Sequence, residues 1–260
     1  MTNPLLLSDA QQVIGRRWSK GQPPERARIL GLARDALDFI SATGQWYPFV
    51  DFRVNRASSG SSQADTAHGL QESLSKAERF FEELLDDPAA AGERPPIQLI
   101  LDTFRFISST RQHAAFGDFL EHVESHAPPF VVASFDTQQE AESWLKHHPN
   151  PPAFADVLIG DRYHAVMYER ETDFRRLPWT RDLERYLAWL KRVESPVAEA
   201  SFVTCEEAEA WLARQPQPAR RTWVMIAGEL HLAVYHPNIH HRALYPLSMA
   251  ASDEEETEGP

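Results

Sequence analysis

The segment 133–177 recurs without a gap as 200–244, with seventeen of the aligned positions identical. Ala133-Ser134-Phe135-x-Thr137-x-x-Glu140-Ala141-Glu142-x-Trp144-Leu145 matches Ala200-Ser201-Phe202-x-Thr204-x-x-Glu207-Ala208-Glu209-x-Trp211-Leu212. The pairs Pro149/Pro216, Pro151/Pro218, Val157/Val224, Ile159/Ile226, His164/His231, Tyr168/Tyr235, Arg175/Arg242 and Leu177/Leu244 complete the set. No other feature constrains the fold as much, because a unit written twice has to be built twice. It identifies no reaction.

Each copy opens with a short strand-like run, Phe130–Phe135 and Val197–Phe202. Thr137 and Thr204 then stand three residues before Glu140 and Glu207, the spacing of a capping box in which threonine and glutamate satisfy the free N–H groups of a first helical turn. Ala141, Trp144 and Leu145, and likewise Ala208, Trp211 and Leu212, recur at i, i+3 and i+4, so both tryptophans are expected in a core. The proline pairs stop each helix. Val157-Leu158-Ile159 and Val224-Met225-Ile226 lead through Gly160-Asp161 and Ala227-Gly228-Glu229 into returning strands, Tyr163–Tyr168 and Leu230–Tyr235, as a hairpin with positive φ requires. The fold expected is α+β: two β-α-β-β units, 130–179 and 197–247, related by a pseudo-twofold and forming one sheet or two abutting sheets. A helix over 180–193, with Leu183, Tyr186, Leu187 and Leu190 on one face, connects them.

The preceding chain reads differently. Ile29, Leu30, Ala33, Leu37 and Ile40 mark a helix opened at Pro24 and stopped at Gly44. Gln45–Phe52 reads as an aromatic connector, and Arg56–Gln63 as a Ser/Gly loop. Helical faces follow at Leu70, Leu74, Ala77, Phe81 and Leu84, at Ile97, Leu101 and Phe104, and at Phe116, Leu120 and Val123, with a loop over Pro88–Pro96 between the first two. A small helical bundle over 1–127 is expected, with the boundary at Pro128-Pro129 and the repeat domain over 128–247. Residues 248–260 read as a disordered acidic tail.

Composition narrows the classes of function. The net charge is −12, and although Asp253, Glu254, Glu255, Glu256 and Glu258 crowd the tail, the body stays acidic without them. That disfavours direct nucleic-acid binding, which needs basic side chains against phosphate, and suits a basic protein partner. The single cysteine, Cys205, permits no intramolecular disulfide, as in a reducing compartment. Without a leader-like segment or an apolar run of membrane length, the chain is expected in the cytoplasm.

Candidate chemistry centres on histidine. His236, His240 and His241 form the densest group and are the candidates for a metal, although Pro237 breaks any helical ligand spacing. A polar loop is the reading preferred for them, and no metal or cofactor is expected. His164 and His231 recur, each on the same strand face as Tyr168 or Tyr235. A pseudo-twofold would gather the four into a polar pocket; retained packing would also explain them. No nucleophile elbow, phosphate loop, dinucleotide loop or zinc-protease helix is present, so a binding protein is expected rather than an enzyme.

The signature S-F-x-T-x-x-E-A-E-x-W-L, followed by P-x-P and the V-x-I hairpin, resembles a paralogous myxobacterial family over roughly 120–247. Its members are variously described as phage-head-like, and some lie beside polymorphic lipoprotein toxins. The resemblance implies an immunity role or a phage-derived one. It carries over no functional residues, since the shared positions are the cap, core and turn residues already named. The expected function is an immunity protein that occludes a cognate, basic toxin. A phage-derived structural or accessory virion protein and a histidine-dependent metalloenzyme are the alternatives.

Overall fold

The computed structural model describes residues 5–18, 21–56 and 68–250. The fold is α+β, and the chain divides into two compact units, Met1–Val123 and Glu124–Pro260.

The first unit is helical: α1 (Leu5–Arg17), α2 (Pro24–Ala42), α3 (Trp46–Arg56), α4 (His68–Asp86), α5 (Arg94–Ser109) and α6 (His113–Glu124). Helix α5 is central, burying residues around most of its circumference from Ile97 to Ile107, as a helix surrounded by others must. Its one buried carboxylate, Asp102, accepts from Arg53 at 3.0 Å and from Gln98 at 2.9 Å. Two expectations need correction. Trp46–Arg56 is a helix and not a connector: Pro48 falls within the first turn, where no N–H is required, and Trp46 and Phe49 are buried. Pro88–Glu93 is a 3₁₀ turn capped by Asp87, and Pro95 and Pro96 begin α5 rather than ending a loop. The Ser/Gly loop expected over Arg56–Gln63 falls, after Arg56 at the end of α3, outside the described residues.

In the second unit the first half comprises β1 (Val131–Phe135), α7 (Gln138–His147), β2 (Asp156–Ile159), β3 (Arg162–Ala165), β4 (Met167–Glu169) and β5 (Phe174–Arg176). Helix α8 (Asp182–Val193) follows, then β6 (Ala200–Phe202), α9 (Cys205–Arg214), β7 (Arg221–Ile226), β8 (Glu229–His236) and β9 (His241–Pro246). Strand β1 runs parallel to β2, and β6 parallel to β7; the remaining pairs are antiparallel. Three sheets result, β1-β2-β3, β4-β5 and β6-β7-β8-β9. Each half therefore has a further strand after its hairpin, β5 or β9, which the β-α-β-β reading lacked.

The local chemistry follows the sequence closely. Thr137 caps α7 with Glu140 reaching back to its N–H, and Thr204 caps α9. Both hairpins turn through two residues of positive φ, Gly160 and Asp161 in one, Ala227 and Gly228 in the other. The twist of such a turn matches the twist of the strands it joins.

Alternation of strand residues sorts the apolar side chains into three clusters. Ala141, Leu145, Val157, Ile159 and Val166 pack beneath α7. Their aligned counterparts in the second copy, Ala208, Leu212, Val224, Ile226 and Ala233, pack beneath α9. Between the halves lies a central core, in which Val131, Leu158 and Tyr163 meet Trp223, Leu232, Val234, Ala243 and Tyr245, with Leu183, Leu187 and Leu190 of α8 among them. Trp144 and Trp211 depart from expectation. They are half-buried, tilted against Phe135 and Phe202 with ring centroids 5.1 and 5.6 Å apart. Alanine and leucine supply the fully buried part of each stripe. At the start of the tail expected over 248–260, Leu247–Met249 is instead a 3₁₀ turn whose Leu247 and Met249 pack on the central core. Residues 251–260 lie outside the described set.

Candidate functional site

The recurring tyrosines and arginines serve the helices. Arg175 Nη1 donates to the carbonyls of Leu145, Lys146 and His148 at 2.6, 3.0 and 3.0 Å, and its guanidinium lies over the Tyr168 ring at 5.3 Å. It closes the free carbonyl end of α7. Arg242 lies over Tyr235 at 4.9 Å but reaches α9 through one long bond, 3.4 Å to the Gln215 carbonyl, and its buried Nε lacks a partner among the described residues. Arg175→Ala is expected to cost about 2–3 kcal/mol and Arg242→Ala about 1 kcal/mol in urea unfolding, since charged hydrogen bonds outweigh neutral ones. Equal losses would contradict this division.

His164 and His231 are likewise committed within their own halves. His164 Nδ1 lies 2.9 Å from the Leu177 carbonyl, and His231 Nδ1 lies 3.2 Å from that of Glu229. The two histidines do not bond each other, and the structure gathers no pocket from His164, Tyr168, His231 and Tyr235.

Of the group His236, His240 and His241, the structure pairs His236 with His241 across β8 and β9, ring centroids 6.4 Å apart, but each of the three makes its own polar contact. His240, at φ +52°, brings Nδ1 within 3.3 Å of the Tyr235 hydroxyl. His241 Nε2 lies 2.7 Å from Asp161 Oδ1 in the hairpin turn of the other half. His236 is buried, its Nε2 3.4 Å from the Tyr163 hydroxyl, which in turn donates to the Pro129 carbonyl at 3.3 Å. Among the described residues no three His, Cys, Asp or Glu side chains converge as a metal would require. What His236 and His241 form is a polar seam joining the halves at the edge of the central core. Asn238 extends it, its amide donating to the Val131 carbonyl at 2.7 Å.

Tyr163 and Tyr245 face this seam from the core, and burial pushes both phenols well above their ordinary value. Asp156, on the same strand face as Leu158, has its carboxyl pushed up to about 7, by burial first and by the neighbouring charge of Asp182 second. Sequence reading missed Asp156. The signal was available: its aligned counterpart in the second copy is Trp223, a core residue.

Two surface features stand out among the described residues of the second unit. A groove of about 560 Å³ runs between α7 and residues 175–178, but its α7 wall carries charges of both signs, Glu142 and Lys146, and Arg175 is already held by α7. The other is the outer surface of the β4-β5 ribbon, where Met167 and Phe174 are 46% and 40% exposed. Phe154 and Trp179 are exposed in the segments before and after it, and Arg181 lies over Trp179 at 5.5 Å. Methionine, aromatic rings and arginine are the residue types that protein interfaces favour. Among the described residues no helix is long and apolar enough to cross a membrane. Comparison with protein-family models, with curated proteins and with solved structures finds no match to this chain.

Proposed function

We propose that the protein is a cytoplasmic immunity-type binding protein, which occludes one basic partner domain. The observation that carries this reading is the acidic surface. The net charge is −12, and Glu140 and Glu142 of α7, Glu206, Glu207 and Glu209 of α9, and Glu72, Glu82 and Glu83 of α4 are all exposed. A field of one sign speeds encounter with an opposite charge and selects against wrong partners. We also propose that the second unit is a tandem duplication with its halves related by a pseudo-twofold, which the position-by-position match between the clusters under α7 and α9 supports.

The test is binding to the protein encoded next to this one. Complex formation with about 1:1 stoichiometry, protection of cells that express the partner, and weaker binding at high salt are expected, since exposed charges are screened beyond about 8–10 Å. Changing His164 and His231 to glutamine should leave protection intact. Loss of protection in that folded variant would point to a histidine-based site, and absence of any complex would end the proposal. The exposed ribbon favours a second reading, a phage-derived structural or accessory virion protein, which predicts large assemblies by light scattering.

A further inference from the structure

Strands β4 and β5 pair Met167 with Arg176 and Glu169 with Phe174. Directly opposed residues share a face, as do residues two apart along a strand. One face of the ribbon is therefore a four-cornered patch of Met167, Glu169, Phe174 and Arg176, and all four are exposed. The other face, with Tyr168 and Arg175, packs toward α7.

The aligned positions in the second copy are Val234, His236, His241 and Ala243. There the face is covered: Val234, His236 and Ala243 are buried against the first half of the unit. A sheet face that is part of the core in one half is thus bare in the other. In the first half the strand itself is interrupted. Val166 leaves the ladder, its N–H donating to the Ala155 carbonyl and its carbonyl accepting from Phe154, so β4 and β5 form a sheet separate from β1-β2-β3.

We propose that a second copy of this chain docks on this ribbon, about a twofold axis that runs through Met167 and Phe174. The corners of the patch determine the choice. Met167 and Phe174 are diagonal to each other, and so are Glu169 and Arg176. A twofold along the first diagonal lays Met167 on its own copy and Phe174 on its own copy. It then places Glu169 against Arg176 of the second copy, twice. A twofold along or across the strands would instead pair each charge with an apolar side chain. The patch is self-complementary in charge for one orientation only, as an isologous contact demands.

The orientation also has a recognisable packing. Two residues of strand span about 6.8 Å and neighbouring strands stand about 5 Å apart, so this diagonal crosses the two ribbons at roughly 70°, near the orthogonal class of sheet packing. Arg176 lies over Phe174 at 5.5 Å within one copy, so its guanidinium leans along β5 on the patch. Phe154, 43% exposed and hydrogen-bonded beside Met167 through Val166, would extend the apolar contact at its rim. The docking does not depend on the acidic surface proposed to meet a different protein.

Sedimentation velocity of the full chain between about 5 and 200 μM tests this, a range that reveals dimers of micromolar affinity. A concentration-dependent dimer is expected. Met167→Glu combined with Phe174→Glu should shift it to monomer without changing the circular dichroism spectrum, as both sites are exposed. Glu169→Arg and Arg176→Glu should each weaken the dimer about tenfold or more, by opposing like charges. The doubly swapped chain should recover to within about threefold of the original, as a direct pair requires. A monomer throughout the range, a dimer indifferent to the Met167/Phe174 variant, or a double swap no better than the single ones would each overturn the proposal.

Discussion

Replacing Leu187 with alanine is expected to lower the stability of the second unit by about 3–5 kcal/mol in urea unfolding, the upper range for a buried leucine. Leu187 is fully buried on α8, four residues after Leu183 and three before Leu190. These three side chains enter the central core between the two halves, and belong neither to the cluster beneath α7 nor to that beneath α9. Removing the isobutyl group opens a void that sheets from both sides would have to move to fill, and hydrogen-bonded strands move little. Lys191→Ala, on the exposed face of the same helix, should change stability by less than about 0.5 kcal/mol. A loss below about 1 kcal/mol at Leu187 would show that α8 sits loosely between the halves.

Asp156→Asn should stabilise the protein, and by an amount that depends on pH. The folded carboxyl titrates at about 7, raised from an ordinary value of 3.8. Because the folded form holds its proton more tightly, stability from this group falls as pH rises from about 4 through 7. At pH 8 the wild-type side chain is ionised in the folded state against its preference. Asparagine removes that cost, a gain of about 2–4 kcal/mol once partial exposure is allowed for. At pH 4 the folded carboxyl is protonated and the unfolded one, with its ordinary value of 3.8, is only about half ionised, so the gain should be less than about 1 kcal/mol. Chemical unfolding of both proteins across this pH range gives the difference directly. A gain that stayed constant from pH 4 to 8 would mean that Asp156 ionises in the folded state as easily as in water.

The parts of this architecture that were legible in the sequence are those with local causes. A threonine three residues before a glutamate forms its capping box wherever it stands, and Gly160-Asp161 turns a hairpin on its own conformational preference. What was not legible depends on partners distant in the chain. Trp144 obeys the helical period but stands at the edge of its stripe, so the smaller Ala141 and Leu145 take the buried positions. Trp46–Arg56 hid its helix because its aromatic residues suit a strand equally and its proline suits a turn. His236 looked like a loop residue beside Pro237, yet the first half of the unit buries it. The alignment of the two segments was informative even where it failed. Met167/Val234 and Arg176/Ala243 differ because one face became interior and the other did not. Among the candidate residues, Tyr168 and Tyr235 were found by repetition, but their use as platforms for Arg175 and Arg242 needed the helix ends to be located in space.

The central core has a consequence for how the second unit comes apart. Trp223, Leu232 and Tyr245 take their apolar cover from the first half and α8, and Val131, Leu158 and Tyr163 depend on them in return. Each half keeps a small cluster of its own under α7 or α9, but partial opening of either exposes the inner sheet of both. The two segments, similar enough to align residue by residue, are thus expected to melt as a single unit. A chain cleaved between Glu194 and Glu199 should stay assembled until both pieces dissociate together.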